Sequence, residues 1–174
     1  IRLSLVGSEM CIRDRSGSDL FCSGVSLDPL TGRTLIVGGD QPNGLPDMGY
    51  NVANNNGVTY DPARRAMVRE REIDAYRWYP STATAMTGEM LVAGGGGGLG
   101  VRGTDGGWRR LAPAEAGLAE GWYPRHWVAP DGRMFGLSGS QMYFLDIQGR
   151  GTLQRAGSLP VSYTHLTLPT KRIV

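Results

Sequence analysis

Tyr79 and Tyr123 stand in the same local setting, Trp78-Tyr79-Pro80 and, forty-four residues later, Trp122-Tyr123-Pro124. Cys22, in "DLFCSGV", holds the matching slot one unit earlier. A thiol and two phenols at equivalent positions are groups that can do chemistry. A cysteine with no disulfide partner is a reactive thiol, a group bonded to something else, or a small packed strand residue. The tyrosines are strand-entry packing residues or members of a shared site. Arg125 and His126 follow the second motif and add a cation and an imidazole.

The isolation of Cys22 depends on setting both ends aside. "IRLSLVGSEMCIRDR" and "VSYTHLTLPTKRIV" resemble translated sequencing-adapter peptides and are excluded from the fold argument. Lys171, the one lysine of the chain, lies in the second of them, while the middle uses arginine throughout. Cys11 and His165 leave with the ends. Roughly 16–160 then offers no disulfide and no complete site of nitrogen and sulfur metal ligands, which needs about three or four. The expected division is 1–15 and 161–174 as artefact and 16–160 as an internal piece of a longer protein. A net charge of +2 over 174 residues gives no reason to expect nucleic acid. No stretch approaches the ~20 apolar residues of a membrane span.

What must position these residues is a repeat. Gly32, Gly88 and Gly132 each lie nine or ten residues beyond Cys22, Tyr79 and Tyr123, and an apolar run follows each: "TLIVGG", "MLVAGG" and "MFGLSG". A short segment, a glycine turn and an apolar run read as a β-hairpin, and continuous apolar runs fit strands buried on both faces. Outer segments follow in "GVTYDPARRAMV", "TDGGWRRLAP" and "QMYFLDIQGRGTLQRAG". About four strands over ~40–50 residues is the period of a propeller blade, so the fold class is all-β, a partial β-propeller. The expected blades are 19–74, 76–113 and 121–160. Successive blades share a rim, so Cys22, Tyr79 and Tyr123 should converge there. The glycine run 94–98 is a blade loop; it lacks the Lys-Ser/Thr and helix of a phosphate loop. Arg64 to Glu72 reads as a solvated outer strand, and 41–57 as a rim loop.

The Gly-Gly pairs with downstream aromatics resemble kelch repeats. More specifically, "DLFCSGVSLDPLTGRTLIVGGD", "RWYPSTATAMTGEMLVAGG" and "GWYPRHWVAPDGRMFGLSG" resemble the propeller of the galactose oxidase and glyoxal oxidase family. That resemblance implies a seven-bladed kelch-type parent, of which this chain would hold about three blades. It implies a secreted or periplasmic copper radical oxidase that oxidises an aldehyde or primary alcohol and reduces O2 to hydrogen peroxide. The resemblance puts the family's cysteine–tyrosine thioether radical on Cys22 and Tyr79, with Tyr79 also a copper ligand. A thioether beside the phenol oxygen eases one-electron oxidation, and a phenolate suits a hard Cu(II) ion.

The sequence also departs from that family. The remaining ligands, a second tyrosine and two histidines, match no position here, and His126 falls in the wrong blade. Galactose oxidase stacks a tryptophan over the thioether at the position of Gly97, so the glyoxal-oxidase-like side is favoured. Its substrate-contacting arginine would fall at Pro124, leaving Tyr123 and Arg125 as candidate substrate contacts. Without most of the copper ligands the piece itself should be inactive. The alternative is a non-catalytic kelch propeller whose rim binds a protein or a glycan, with Cys22 simply packed.

Overall fold

The computed structural model describes residues 18–41, 52–115 and 122–159. Both adapter-like ends and most of the 41–57 loop lie outside the described residues.

Among the described residues twelve strands form three four-stranded antiparallel sheets, each in chain order. The first holds β1 (Gly24–Leu27), β2 (Thr34–Val37), β3 (Gly57–Asp61) and β4 (Ala66–Arg69). The second holds β5 (Ser81–Thr84), β6 (Met90–Ala93), β7 (Leu99–Arg102) and β8 (Trp108–Arg110). The third holds β9 (Arg125–Val128), β10 (Met134–Ser138), β11 (Gln141–Asp146) and β12 (Thr152–Ser158). The helix among the described residues, α1 (Ala112–Glu115), is a single turn. The expected all-β class and partial propeller are what is seen, and the propeller is not closed. No helix among the described residues is long and apolar enough to cross a membrane.

The repeat is visible in the turn chemistry. In the first hairpin the N–H of Asp28 donates to the Arg33 carbonyl and that of Gly32 to the Asp28 carbonyl. Ala85, Gly88 and Glu89 repeat this pattern, as do Ala129, Gly132 and Arg133. Each glycine has φ between 67° and 86°, the left-handed region a side chain resists. The longer first turn is held by Asp28, whose carboxylate accepts from the N–H of Leu30 and the hydroxyl of Thr31.

The apolar runs are the second strands of the sheets, and β6 is buried at all four positions. Sheets pack face to face through them. Leu35, Val37, Ile73, Met90 and Val92 fill the space between the first two sheets. Leu91, Ala93, Leu99, Val101, Met134, Tyr143 and Leu145 fill the second interface. The first strands pack side by side: Thr82 Oγ1 donates to the Val25 carbonyl at 2.7 Å, and Ser81 Oγ to the Pro124 carbonyl. Arg102 of the second sheet reaches Glu70 of the first at 2.8 Å. The charged run around Arg64–Glu72 is the outermost strand β4 and its flanks, as the sequence suggested. The outward flanks stay open, leaving Val25 and Leu27 on β1 and Trp127 on β9 mostly exposed.

Candidate functional site at the blade rim

Cys22, Tyr79 and Tyr123 each sit just before the first strand of their sheet. All three are left-handed, with φ of 62°, 59° and 53°. For non-glycine residues this costs energy and persists only where surroundings enforce it. A backbone chain enforces it here. The N–H of Tyr79 donates to the Cys22 carbonyl at 3.0 Å, and the N–H of Tyr123 to the Tyr79 carbonyl at 3.1 Å. Pro80 and Pro124 follow the tyrosines and disfavour the right-handed helical region for the residue before them.

The Gly-Gly pairs let the chain pass beneath these residues. A Cβ on Gly39 would lie 2.7 Å from the Phe21 carbonyl, and one on Gly95 2.7 Å from the Trp78 carbonyl. Bare backbone is therefore required. Gly39 donates to the Arg77 carbonyl at 3.0 Å, and Trp78 to the Gly95 carbonyl at 2.9 Å. Arg77 is fully buried beneath the rim. Its guanidinium donates to the carbonyls of Gly94 (3.0 Å) and Gly98 (2.8 Å), which fixes the glycine loop. Gly97 leaves room for it, since a Cβ there would meet Arg77 Cγ at 2.7 Å.

The side chains meet as well. The Tyr79 phenol and the Cys22 thiol lie close enough to interact. That contact, with burial and the neighbouring Tyr123 and Asp40, pushes the phenol pKa up to about 12. Cys22 is a free cysteine. The Tyr79 and Tyr123 rings lie with centroids 4.9 Å apart. Arg125, exposed on β9, places its guanidinium 5.8 Å from the Tyr123 ring centroid. The structure thus brings Cys22, Tyr79 and Tyr123 together at the rim, with Arg125 beside Tyr123.

His126 turns away from this group. Its Nε2 is 2.8 Å from the Tyr143 hydroxyl, in the interface between the second and third sheets. The ring is of intermediate exposure overall, yet burial pulls its pKa down to about 4. Burial also raises the Tyr143 phenol. The imidazole is a neutral packing partner.

Two features escaped the sequence reading. One is the aromatic cover of Tyr79. Trp78 lies 4.2 Å and Trp122 5.7 Å from its ring centroid, and the two indoles meet edge-on at 5.0 Å. The sequence reading looked for such a cover at Gly97, whereas the tryptophans of the repeated motif supply it. The other is Asp40, the residue after the first Gly-Gly, which is buried beside Trp78. Its signal was the single acidic residue ending "VGGD".

Copper, if bound, would find one phenol oxygen donor in Tyr79. Among the described residues no group of three or more His, Cys, Asp or Glu could hold a metal ion. The donor is suitable: without a cation its high pKa keeps the phenol protonated, and a bound cation inverts that preference.

No protein-family model matches the chain, and no curated protein does. Among solved structures it is similar to a fungal alcohol oxidase of the AA5 family, described as showing catalytic diversity within that family and solved in complex with copper. The TM-score is 0.63 at 20% sequence identity, over 83% of this chain and 31% of that one. The chain therefore spans about a third of that protein's length. At such identity the likeness is one of fold.

Proposed function

We propose that the chain is the thioether-bearing part of a copper radical oxidase that acts on aldehydes or primary alcohols. The observation carrying this reading is the meeting of Cys22 and Tyr79 at a strained, shared rim, where the Tyr79 N–H donates to the Cys22 carbonyl at 3.0 Å and the two side chains interact. The fold likeness to a copper alcohol oxidase and the cysteine and tyrosine motifs of the sequence support it.

In this reading Cys22 Sγ bonds to the Tyr79 ring carbon beside the hydroxyl. The thiol hydrogen and one ring hydrogen leave as two protons and two electrons, and O2 takes them up as hydrogen peroxide. Tyr79 would hold copper through its phenolate oxygen, and the other ligands would come from further segments of a seven-bladed kelch-type parent. When bound, copper would supply one oxidising equivalent and the Tyr79 ring the other. The balance is a primary alcohol and O2 giving an aldehyde and hydrogen peroxide. Trp78 and Trp122 shield the Tyr79 ring from water and quenching. Tyr123 and Arg125, on the exposed side, receive the substrate. Secretion or a periplasmic location follows from the same reading, as does inactivity of the 174-residue chain alone.

Copper loading of the full-length parent, followed by a peroxide assay with methylglyoxal and primary alcohols, tests this. Peroxide formation that requires both Cys22 and Tyr79 supports it; copper-loaded protein inactive on all of them counts against it. A second reading, a propeller rim that binds a glycan or a protein, is favoured by one observation. Phe21 and Trp122 are 62% and 66% exposed, as in stacking platforms for sugars.

A further inference from the structure

Four aromatic rings meet at the rim, two indoles and two phenols, and each can lose a single electron. Trp78 lies 4.2 Å from Tyr79 and 5.0 Å from Trp122, centroid to centroid. Trp122 lies 5.7 Å from Tyr79, and Tyr123 4.9 Å from it. These are contact distances for ring pairs. Electron transfer weakens steeply as a gap widens, so rings in contact form a path. Burial is graded along it: Trp78 and Tyr79 are half-buried, whereas Trp122 is 66% exposed. Another ring cluster, Trp127 with Phe135 and Phe144, runs into phenylalanines, which resist oxidation.

The neighbouring charges favour one branch. Asp40 lies beside the Trp78 indole N–H, where a carboxylate stabilises positive charge on that ring. The Arg125 guanidinium lies 5.8 Å from the Tyr123 ring centroid and opposes positive charge there. Burial and Cys22 also raise the Tyr123 phenol pKa, so its oxidation waits on a proton acceptor that an indole does not need at once. The open end of the path is therefore Trp122.

We propose that Trp122 and Trp78 form an electron-transfer relay connecting Tyr79 to one-electron oxidants in solution. The oxidant takes an electron from Trp122, and Trp122 recovers one from Tyr79, directly or through Trp78. The oxidant is reduced by one electron and Tyr79 is oxidised by one. The phenol proton leaves to water, and both indoles end unchanged. An indole is harder to oxidise than a phenol that can shed its proton, and harder still than one carrying a thioether. The transfer therefore runs toward Tyr79, and the radical stays there. Cover and conductor are one structure. This inference rests on the oxidase reading for the use made of the Tyr79 radical, but not for the relay itself.

The test uses the copper-free full-length protein and photogenerated ruthenium(III) tris-bipyridine as the oxidant, followed by transient absorption. The wild type should show a tryptophan radical that decays as a tyrosyl radical rises, and the part of that rise lost in Tyr79→Phe is the signal. Trp122→Phe keeps an aromatic ring but not an oxidisable one, and should slow the signal about tenfold or more. Trp122→Tyr should restore most of the rate, which separates electron transfer from packing. Trp127→Phe removes an exposed indole outside the cluster and should leave the signal unchanged. A signal as fast in Trp122→Phe as in the wild type, one lost in Trp127→Phe, or no signal in the wild type overturns the relay. A Trp122-dependent signal in a protein that, loaded with copper, forms no peroxide from any aldehyde or alcohol would refute the oxidase reading while sustaining the relay. Peroxide formation alongside a signal indifferent to Trp122 would do the reverse.

Discussion

Arg77 and Asp74 form an ion pair of 2.7 Å beneath the rim, with Arg77 side-chain exposure of 0% and Asp74 of 6%. Burial raises the Asp74 pKa, and Arg77 opposes that shift. Removing the guanidinium as Arg77→Met strands a buried carboxylate and frees the Gly94 and Gly98 carbonyls, so it should destabilise by about 3–5 kcal/mol. Adding Asp74→Asn should recover part of the loss, because the two sites share one interaction. Denaturant titration of the two single variants and the double variant checks this; strict additivity would refute it.

The glycine loop gives a controlled comparison. Gly95 and Gly96 both have positive φ, of 70° and 83°. A Cβ on Gly96 meets nothing within 4 Å, while one on Gly95 meets the Trp78 backbone. Gly96→Ala should cost only the left-handed penalty, about 1–2 kcal/mol. Gly95→Ala should cost clearly more, because the chain beneath Trp78 must shift. Equal melting temperatures for the two variants would contradict the close-passage account.

His126 should make stability depend on pH. Its folded pKa of about 4 lies below the ordinary 6.5. Between these values the unfolded chain takes up a proton that the folded one refuses. Stability is therefore full above pH 6.5, falls as pH drops toward 4, and levels off below. The loss from this residue is at most about 3 kcal/mol, reduced by its partial exposure. Unfolding measured at pH 7 and 4.5 should show a smaller difference in His126→Phe than in the wild type. An unchanged difference would remove His126 as its source.

The open flanks predict self-association. Leu27 is 60% and Trp127 53% exposed, on faces that resemble the packed interfaces between sheets. Sedimentation of the 174-residue chain should show association rising with concentration. Trp127→Lys should weaken it. A monomer across the accessible range would contradict this prediction.

Much of the architecture was legible because hairpin turns and apolar runs are local signals that recur at blade spacing. Matching Cys22 with Tyr79 and Tyr123 required only that equivalent blade positions share a rim. Side-chain directions there were not legible. Alternation along a strand fails where φ turns positive, as it does at all three residues. For this reason Trp78 and Trp122 were not recognised as the cover of Tyr79. Arg77 lies under Gly97, the position searched for that cover, and no spacing rule reveals a buried arginine. The burial of Asp40 likewise depends on the chain crossing under Phe21, a tertiary event.

The central claim is that the Cys22 sulfur and the Tyr79 ring, already neighbours at the rim, become covalently joined. The most direct measurement is peptide mass spectrometry of the full-length protein after copper loading in air. The account predicts a Cys22 peptide joined to a Tyr79 peptide and two hydrogens lighter than their sum, absent in Tyr79→Phe. A Cys22 that remains fully alkylatable, with no joined peptide, would contradict it.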